Sequence, residues 1–224
     1  MKLLDKIQKI YLLDEDSFDF PSLDMMGEDL VAIGGDFHPN RLINAYKNGL
    51  FPWFIDEYNY IHWFCPKKRM VLYPNEFKTS KSLKRTIKNK GFIVKTNENF
   101  QNVIKKCSNI KRKHEDDTWI SEEFIIAYTN LYKLGYAHSI EVYLDKKLVG
   151  GLYGIMIGEV FCGESMFSEV RDASKVAFYY LSKQAKQNNI SLIDCQVYNE
   201  HLDSLGAKQI DREEYIAILD KLLI

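Results

Sequence analysis

The 224-residue sequence predicts a mixed α+β (α/β) protein with a mostly antiparallel sheet and a small N-terminal α/β domain. Three observations carry that prediction. Residues 137–162 alternate through three apolar runs separated by Asp145-Lys146-Lys147 and Gly158-Glu159, the pattern of an antiparallel meander. Helical stripes recur beside it, such as Phe100, Val103, Ile104 and Cys107, and Phe124, Tyr128, Leu131 and Tyr132. Turn signals and aromatics crowd residues 18–62 and give way to a new pattern near Met70, which divides the chain into 1–66 and 67–224.

The elements follow in order. A tight turn at Ile33-Gly34-Gly35-Asp36 leads to a helix over 41–48, closed by Gly49. Pro52 holds the backbone extended or turned in Phe51-Pro52-Trp53-Phe54. A strand over 70–73 precedes a basic helix over 80–90 that ends at Gly91, and a strand over 91–96 precedes a helix over 100–107. Ser121 is a good N-cap, and Glu122 and Glu123 suit the first turn of the next helix. After the meander come a helix over 172–188, a strand over 192–197, a short helix ending at Gly206 and a terminal helix over 212–223.

Composition narrows the class. Hydrophobic residues make up 46%, enough for a real core, so disorder does not dominate. No apolar run approaches the roughly 20 residues of a membrane span, and charges interrupt the N-terminus where a signal peptide needs an apolar stretch. A cytoplasmic protein is expected. Cys65, Cys107, Cys162 and Cys195 are far apart without a CxxC pair, which fits reduced thiols. Five scattered His without paired ligand spacing argue against a zinc site.

The net charge of −1 hides an asymmetry. Residues 1–36 carry nine acids and three bases, whereas residues 65–113 carry fifteen bases and two acids. One short run such as Lys78, Lys81, Lys84, Arg85, Lys88 and Lys90 fits a solvated face. The excess over the whole segment points to a polyanion, most simply RNA phosphates.

Three clusters could carry chemistry. In Ile193-Asp194-Cys195-Gln196, strand alternation puts Asp194 and Gln196 on one face and Ile193, Cys195 and Val197 on the other. A carboxylate in an apolar strand needs partners. Asp194 is therefore either a structural carboxylate or a group that orients Gln196 and takes part in proton removal. Residues 161–168 surround Glu164, Ser165 and Ser168 with large apolar groups, which fits either core packing or a pocket for an apolar ligand with one polar handle. The aromatics at 51–54 and 62–64 fit core packing or base stacking. Gly150-Gly151 with Gly154 lies inside a hairpin strand and is not a dinucleotide fingerprint.

Taken together, these segments resemble the leucyl/phenylalanyl-tRNA–protein transferase family. The matching runs include Ala32-Ile33-Gly34-Gly35-Asp36, Gly49-Leu50-Phe51-Pro52-Trp53, Thr118-Trp119-Ile120, Leu148-Val149-Gly150-Gly151-Leu152-Tyr153-Gly154, residues 161–168, Ile193-Asp194-Cys195-Gln196 and Ser204-Leu205-Gly206-Ala207. Their order over about 30–207 is what makes the resemblance specific. It implies a GNAT-like acyltransferase domain behind the small N-terminal domain. It also implies transfer of Leu or Phe (Met less well) from aminoacyl-tRNA to proteins beginning with Arg or Lys, feeding a bacterial N-degron route, by a monomer that uses no cofactor and no metal.

Residue by residue, the resemblance makes Asp194 and Gln196 the catalytic pair and sets Glu164 and Asn199 beside the acceptor. Leu152, Phe161, Gly163, Ser165, Met166, Phe178 and Ile193 would line the amino-acid pocket. Trp53, Trp119, Tyr46, Tyr128, Lys84 and Arg85 would meet the tRNA. Two departures stand out. Trp63-Phe64-Cys65-Pro66-Lys67-Lys68-Arg69 replaces the family's Trp-Trp-Ser-Pro-Asp-Pro-Arg, and Phe178 stands where a smaller aliphatic residue is usual. The rival readings are an acetyl-CoA-type N-acyltransferase, for which no pyrophosphate loop is present, and a non-catalytic RNA-binding protein, which leaves the Asp194 and Glu164 clusters without a purpose.

Overall fold

The computed structural model describes residues 10–14, 16–110 and 120–223. Eleven strands and seven α-helices build two sheets among these residues. The first sheet holds β1 (Tyr11–Leu13), β2 (Leu30–Gly34), β3 (Phe51–Ile55) and β4 (Ile61–Phe64), in the order β1-β2-β4-β3. Helix α1 (Pro39–Lys47) packs on it. Pro39 opens that helix at a position whose N–H would be unpaired in any case, and Gly49 follows its end at φ 75°.

The second sheet has seven strands in the order β11-β5-β10-β9-β8-β7-β6. These are β5 (Lys68–Leu72), β6 (Ile93–Thr96), β7 (Ala137–Leu144), β8 (Lys147–Ile157), β9 (Val160–Ser168), β10 (Leu192–Gln196) and β11 (Lys208–Asp211). Every neighbouring pair is antiparallel except β9 and β10. The remaining helices are α2 (Lys81–Asn89), α3 (Phe100–Ser108), α4 (Glu122–Lys133), α5 (Ala173–Ala185), α6 (Glu200–Ser204) and α7 (Arg212–Leu222).

The helices start where the sequence expects. The Ser80 and Ser121 hydroxyls accept the backbone N–H of Leu83 and Phe124, three residues on in each case. Buried Glu141, on β7, accepts from the backbone N–H of Glu98 and Asn99 at 3.4 and 3.3 Å, placing a carboxylate at the positive end of α3.

The seven-stranded sheet lies between two apolar layers. Tyr153, Ile155, Val160, Cys162 and Leu192 face a core shared with the first sheet and with α1, α3, α4 and α7. Met70, Leu72, Ile140, Leu152, Phe161 and Ile193 face a second core closed by α2 and α5.

Strands β1, β2, β3, β4 and β11 are not among the elements expected from the sequence. Pro52 argues against a strand, yet β3 is the edge of its sheet, where a missing N–H costs no ladder bond. The strand expected over 192–197 differs at its end. Ile193 and Cys195 pack in the second core as alternation requires, whereas Val197, past the end of β10, packs against the first.

Gly154 brings β8 and β9 together. A Cβ there would lie 2.3 Å from the Cys162 carbonyl oxygen and 2.6 Å from the Phe161 ring. Gly154→Ala is expected to destabilise the protein by about 1–3 kcal/mol. A thermal melt checks this, and an unchanged midpoint would contradict the close approach.

Candidate active site

Strand β10 pairs with β9 only through Leu192, Ile193 and Asp194, opposite Val160, Phe161 and Cys162. Beyond Cys162, β9 continues to Ser168, while β10 stops at Gln196. The strands part, and a cavity of about 620 Å³ opens between them. It is lined by Gly163, Glu164, Ser165 and Met166 from β9 and by Ile193, Asp194, Cys195 and Gln196 on β10. Leu152, Phe161 and Phe178 supply apolar wall, and Trp53 reaches in from β3.

Two bulges flank this gap. In the β8–β9 ladder, Tyr153 pairs with Ser165 and Gly154 with Gly163, leaving Glu164 as the extra residue. In the β5–β10 ladder, Met70 pairs with Gln196 and Val71 with Asp194, leaving Cys195 as the extra residue. A bulge re-aims the side chains around it. After Glu164 the alternation of β9 shifts by one, so Met166 packs in the second core and Phe167 in the first.

Asp194 is fully buried, and four donors hold it. Its Oδ1 accepts from Arg69 Nε at 2.8 Å and from the Gln196 backbone N–H at 2.8 Å. Its Oδ2 accepts from Arg69 Nη2 at 2.6 Å and from the Tyr215 hydroxyl at 2.8 Å. The side chain of Asp194 thus fixes the backbone two residues on, and Gln196 takes a left-handed φ of 63°. Arg69 is equally buried. It donates Nη1 to the Gly49 carbonyl at 3.1 Å, and its guanidinium lies 4.8 Å from the Phe51 ring centroid and 4.6 Å from that of Tyr215. Burial pulls the Arg69 pKa down, but Asp194 and Tyr215 more than offset this and raise it well above the usual arginine value.

Gln196 donates Nε2 to Glu164 Oε1 at 2.8 Å. Glu164 Oε2 accepts from the Tyr128 hydroxyl at 3.0 Å, and Tyr128 shares a short hydrogen bond with the Tyr46 hydroxyl. Burial lifts the Glu164 carboxyl to about 7, against the pull of the two tyrosine hydroxyls. Burial likewise pushes the thiol pKa values of Cys162 and Cys195 up, which makes both poor nucleophiles.

The structure brings together most of the residues singled out in the sequence. Leu152, Phe161, Gly163, Ser165, Met166, Phe178 and Ile193 all line the cavity, with Asp194, Gln196, Glu164, Asn199 and Trp53. Asn199 also caps α6, its side-chain oxygen accepting from the backbone N–H of His201 and Leu202. Lys84 and Arg85 are exposed on α2, away from the cavity lining.

Tyr46 and Tyr128, expected to meet the tRNA, both lie against Glu164. Both rings are buried, their hydroxyls serve Glu164, and neither presents a face for a base to stack on. Trp119 lies outside the described residues. Arg69 and Tyr215 were not singled out from the sequence. The available signal was a second charge inside an apolar strand, since Arg69 and Asp194 each need an opposite partner. Among the described residues, no three His, Cys, Asp or Glu side chains gather closely enough to hold a metal ion. No helix among them is long and apolar enough to cross a membrane.

Residues 71–220 match the family model for leucyl/phenylalanyl-tRNA protein transferase, and residues 35–67 match that of the family's N-terminal domain. The chain belongs to this enzyme family. A leucyl/phenylalanyl-tRNA–protein transferase from Flavobacterium johnsoniae is 51% identical over 210 residues, covering 94% of this chain and 99% of the relative. One from Dechloromonas aromatica is 47% identical, covering 91% and 88%. Among solved structures, FemX overlaps with a TM-score of 0.49 at 12% identity, over 77% of this chain and 66% of that one. A GCN5-related N-acetyltransferase from Kribbella flavida overlaps with a TM-score of 0.41 at 9% identity, over 79% of this chain and 63% of that one.

In this transferase Arg69→Ala would strand the Asp194 carboxylate without its cation. The variant is expected to lose about 3–5 kcal/mol of stability in a urea titration. A loss under 1 kcal/mol would show that Asp194 does not depend on the pair.

Proposed function

We propose that the enzyme moves Leu or Phe, and Met less well, from aminoacyl-tRNA to the α-amino group of proteins beginning with Arg or Lys. This would feed acceptors into an N-degron degradation route, with the enzyme acting as a cytoplasmic monomer. The observation that supports this most directly is the 620 Å³ cavity, in which an apolar wall meets the linked polar groups Gln196 and Glu164. An apolar amino-acid side chain fits the wall and leaves its ester beside the polar groups.

The donor ester is already activated, so the reaction needs alignment, proton removal and stabilisation of the developing oxyanion. Gln196 is suited to alignment. Its amide nitrogen is committed to Glu164, which fixes the amide plane and turns its oxygen to accept an N–H from the incoming amine. Asp194 sets the backbone of Gln196 and is itself held by Arg69, so it acts as a positioning residue. Trp53 and Trp119 would stack near the terminal adenosine, and Lys84 and Arg85 would grip phosphates. Residues 1–66 would buttress the site and residues 67–224 carry it.

Labelled Leu-tRNA mixed with a peptide beginning with Arg tests the reading. Label is expected on that peptide, little on the same peptide beginning with Ala, and about 100-fold less with Gln196→Ala. No label on the Arg peptide would overturn the assignment. Phe178 lines the pocket, with its ring centroid 5.8 Å from that of Phe77 behind it. Phe178→Val is expected to raise transfer of Phe relative to Leu by roughly 10-fold. An unchanged ratio would remove Phe178 as a specificity residue.

A further inference from the structure

The two carboxylates in the cavity differ in their capacity for a proton. A carboxylate offers about four lone-pair sites. At Asp194 all are filled, by two Arg69 nitrogens, the Gln196 N–H and the Tyr215 hydroxyl, and the guanidinium balances its charge. Glu164 accepts from Gln196 on one oxygen and from Tyr128 on the other, and neither donor carries a charge. It lines the cavity beside the amide that would hold the amine.

We propose that Glu164 takes the proton from the attacking α-amine and returns it to the departing ribose oxygen, with Tyr128, backed by Tyr46, as positioning residues. This rests on the aminoacyl-transfer reading above. The neutral amine nitrogen bonds to the ester carbon and becomes positively charged. One of its protons passes to the Glu164 carboxylate, leaving a neutral amide nitrogen. As the bond from carbon to ribose oxygen breaks, the carboxylic acid gives that proton to the oxygen, and Glu164 is again a carboxylate. No other reactant is consumed. A single group serves as base and then as acid because both steps occur within its reach.

The groups around Glu164 allow this. Arg69 comes from β5, Cys162 from β9, Asp194 and Gln196 from β10, Tyr46 from α1 and Tyr128 from α4, while Tyr153 of β8 lies against Tyr128 and Tyr215 of α7 against Asp194. Burial is the dominant influence and holds the carboxyl at about 7, while Asp194 pushes it up and Arg69 and the tyrosine hydroxyls oppose this. A base of that strength is about half ionised at neutral pH and still accepts a proton from a positively charged reacting nitrogen.

Single-turnover transfer from Leu-tRNA to a peptide beginning with Arg, followed between about pH 5.5 and 9, tests the proposal. The rate of the unaltered enzyme should rise through two ionisations, that of Glu164 and that of the peptide amine at about 7.7–8.0. Glu164→Gln should lower kcat about 100-fold or more, change the peptide KM little and remove the lower ionisation. Tyr128→Phe removes a hydrogen bond that favours the carboxylate, so its Glu164 ionisation and rising limb should move to higher pH. If Glu164→Gln instead raises KM with kcat and profile intact, Glu164 only holds the acceptor's cation and the proposal falls. Loss of kcat with both ionisations retained would make its role structural and also overturn it. The Tyr128→Phe limb stands independently of how well Glu164→Gln folds, and an unmoved limb counts against the proposal. If the unaltered enzyme transfers nothing, the function reading fails first, a result unlike any of these.

Discussion

The ion pair between Arg69 and Asp194 is the constraint on which the site depends. Two charges buried in apolar strands are costly to take out of water unless each meets the other with its remaining hydrogen bonds filled. Here the guanidinium grips the carboxylate with two nitrogens and spends a third on the Gly49 carbonyl, at the end of α1. Phe51 and Tyr215 lie against its faces. One side chain thus ties the first sheet, strand β10 and the terminal helix to a single point. The same carboxylate fixes the backbone at Gln196, so the long-range pair sets the position of the amide.

The cavity owes its existence to strand geometry. The parallel pair β9 and β10 runs together for three residues and then separates. The bulges at Glu164 and Cys195 lie on the two strands that border the gap. The first turns the carboxylate toward the tyrosines of α1 and α4, while its neighbours Gly163 and Met166 remain on the cavity wall. The second follows Asp194, lets the chain turn out of the sheet and presents the Gln196 amide to Glu164. Polar and apolar groups therefore meet at one rim because two strands each carry one extra residue.

Glu164 and Asp194 show how environment separates two like groups. Both are buried, but one is matched by a guanidinium and the other by hydroxyls and an amide. A carboxylate bound by neutral donors stays sensitive to its desolvation, so Glu164 titrates near neutrality. The two halves of the chain contribute to that setting, since Tyr46 belongs to α1 and Tyr128 to α4.

Local pattern determined much of this protein from the sequence alone. The stripe of α3, the serine caps of α2 and α4 and the turns of the β7–β8–β9 meander are written in consecutive residues, and period and cap chemistry suffice to place them. Strand alternation likewise set Ile193 and Cys195 on one side of β10, and the resemblance of ordered motifs pointed to the residues of the cavity wall. Tertiary structure decided the rest. The partner of Asp194 lies 125 residues away, and nothing near either residue specifies their meeting. Strand β3 keeps a proline because it is an edge, a property of the whole sheet. The bulge at Glu164 depends on the register of β8 against β9, and the burial of Tyr46 and Tyr128 depends on α1 and α4 coming together over it. Periodicity is a short-range property of the chain, whereas register, edges and charge pairing are set by contacts between distant segments.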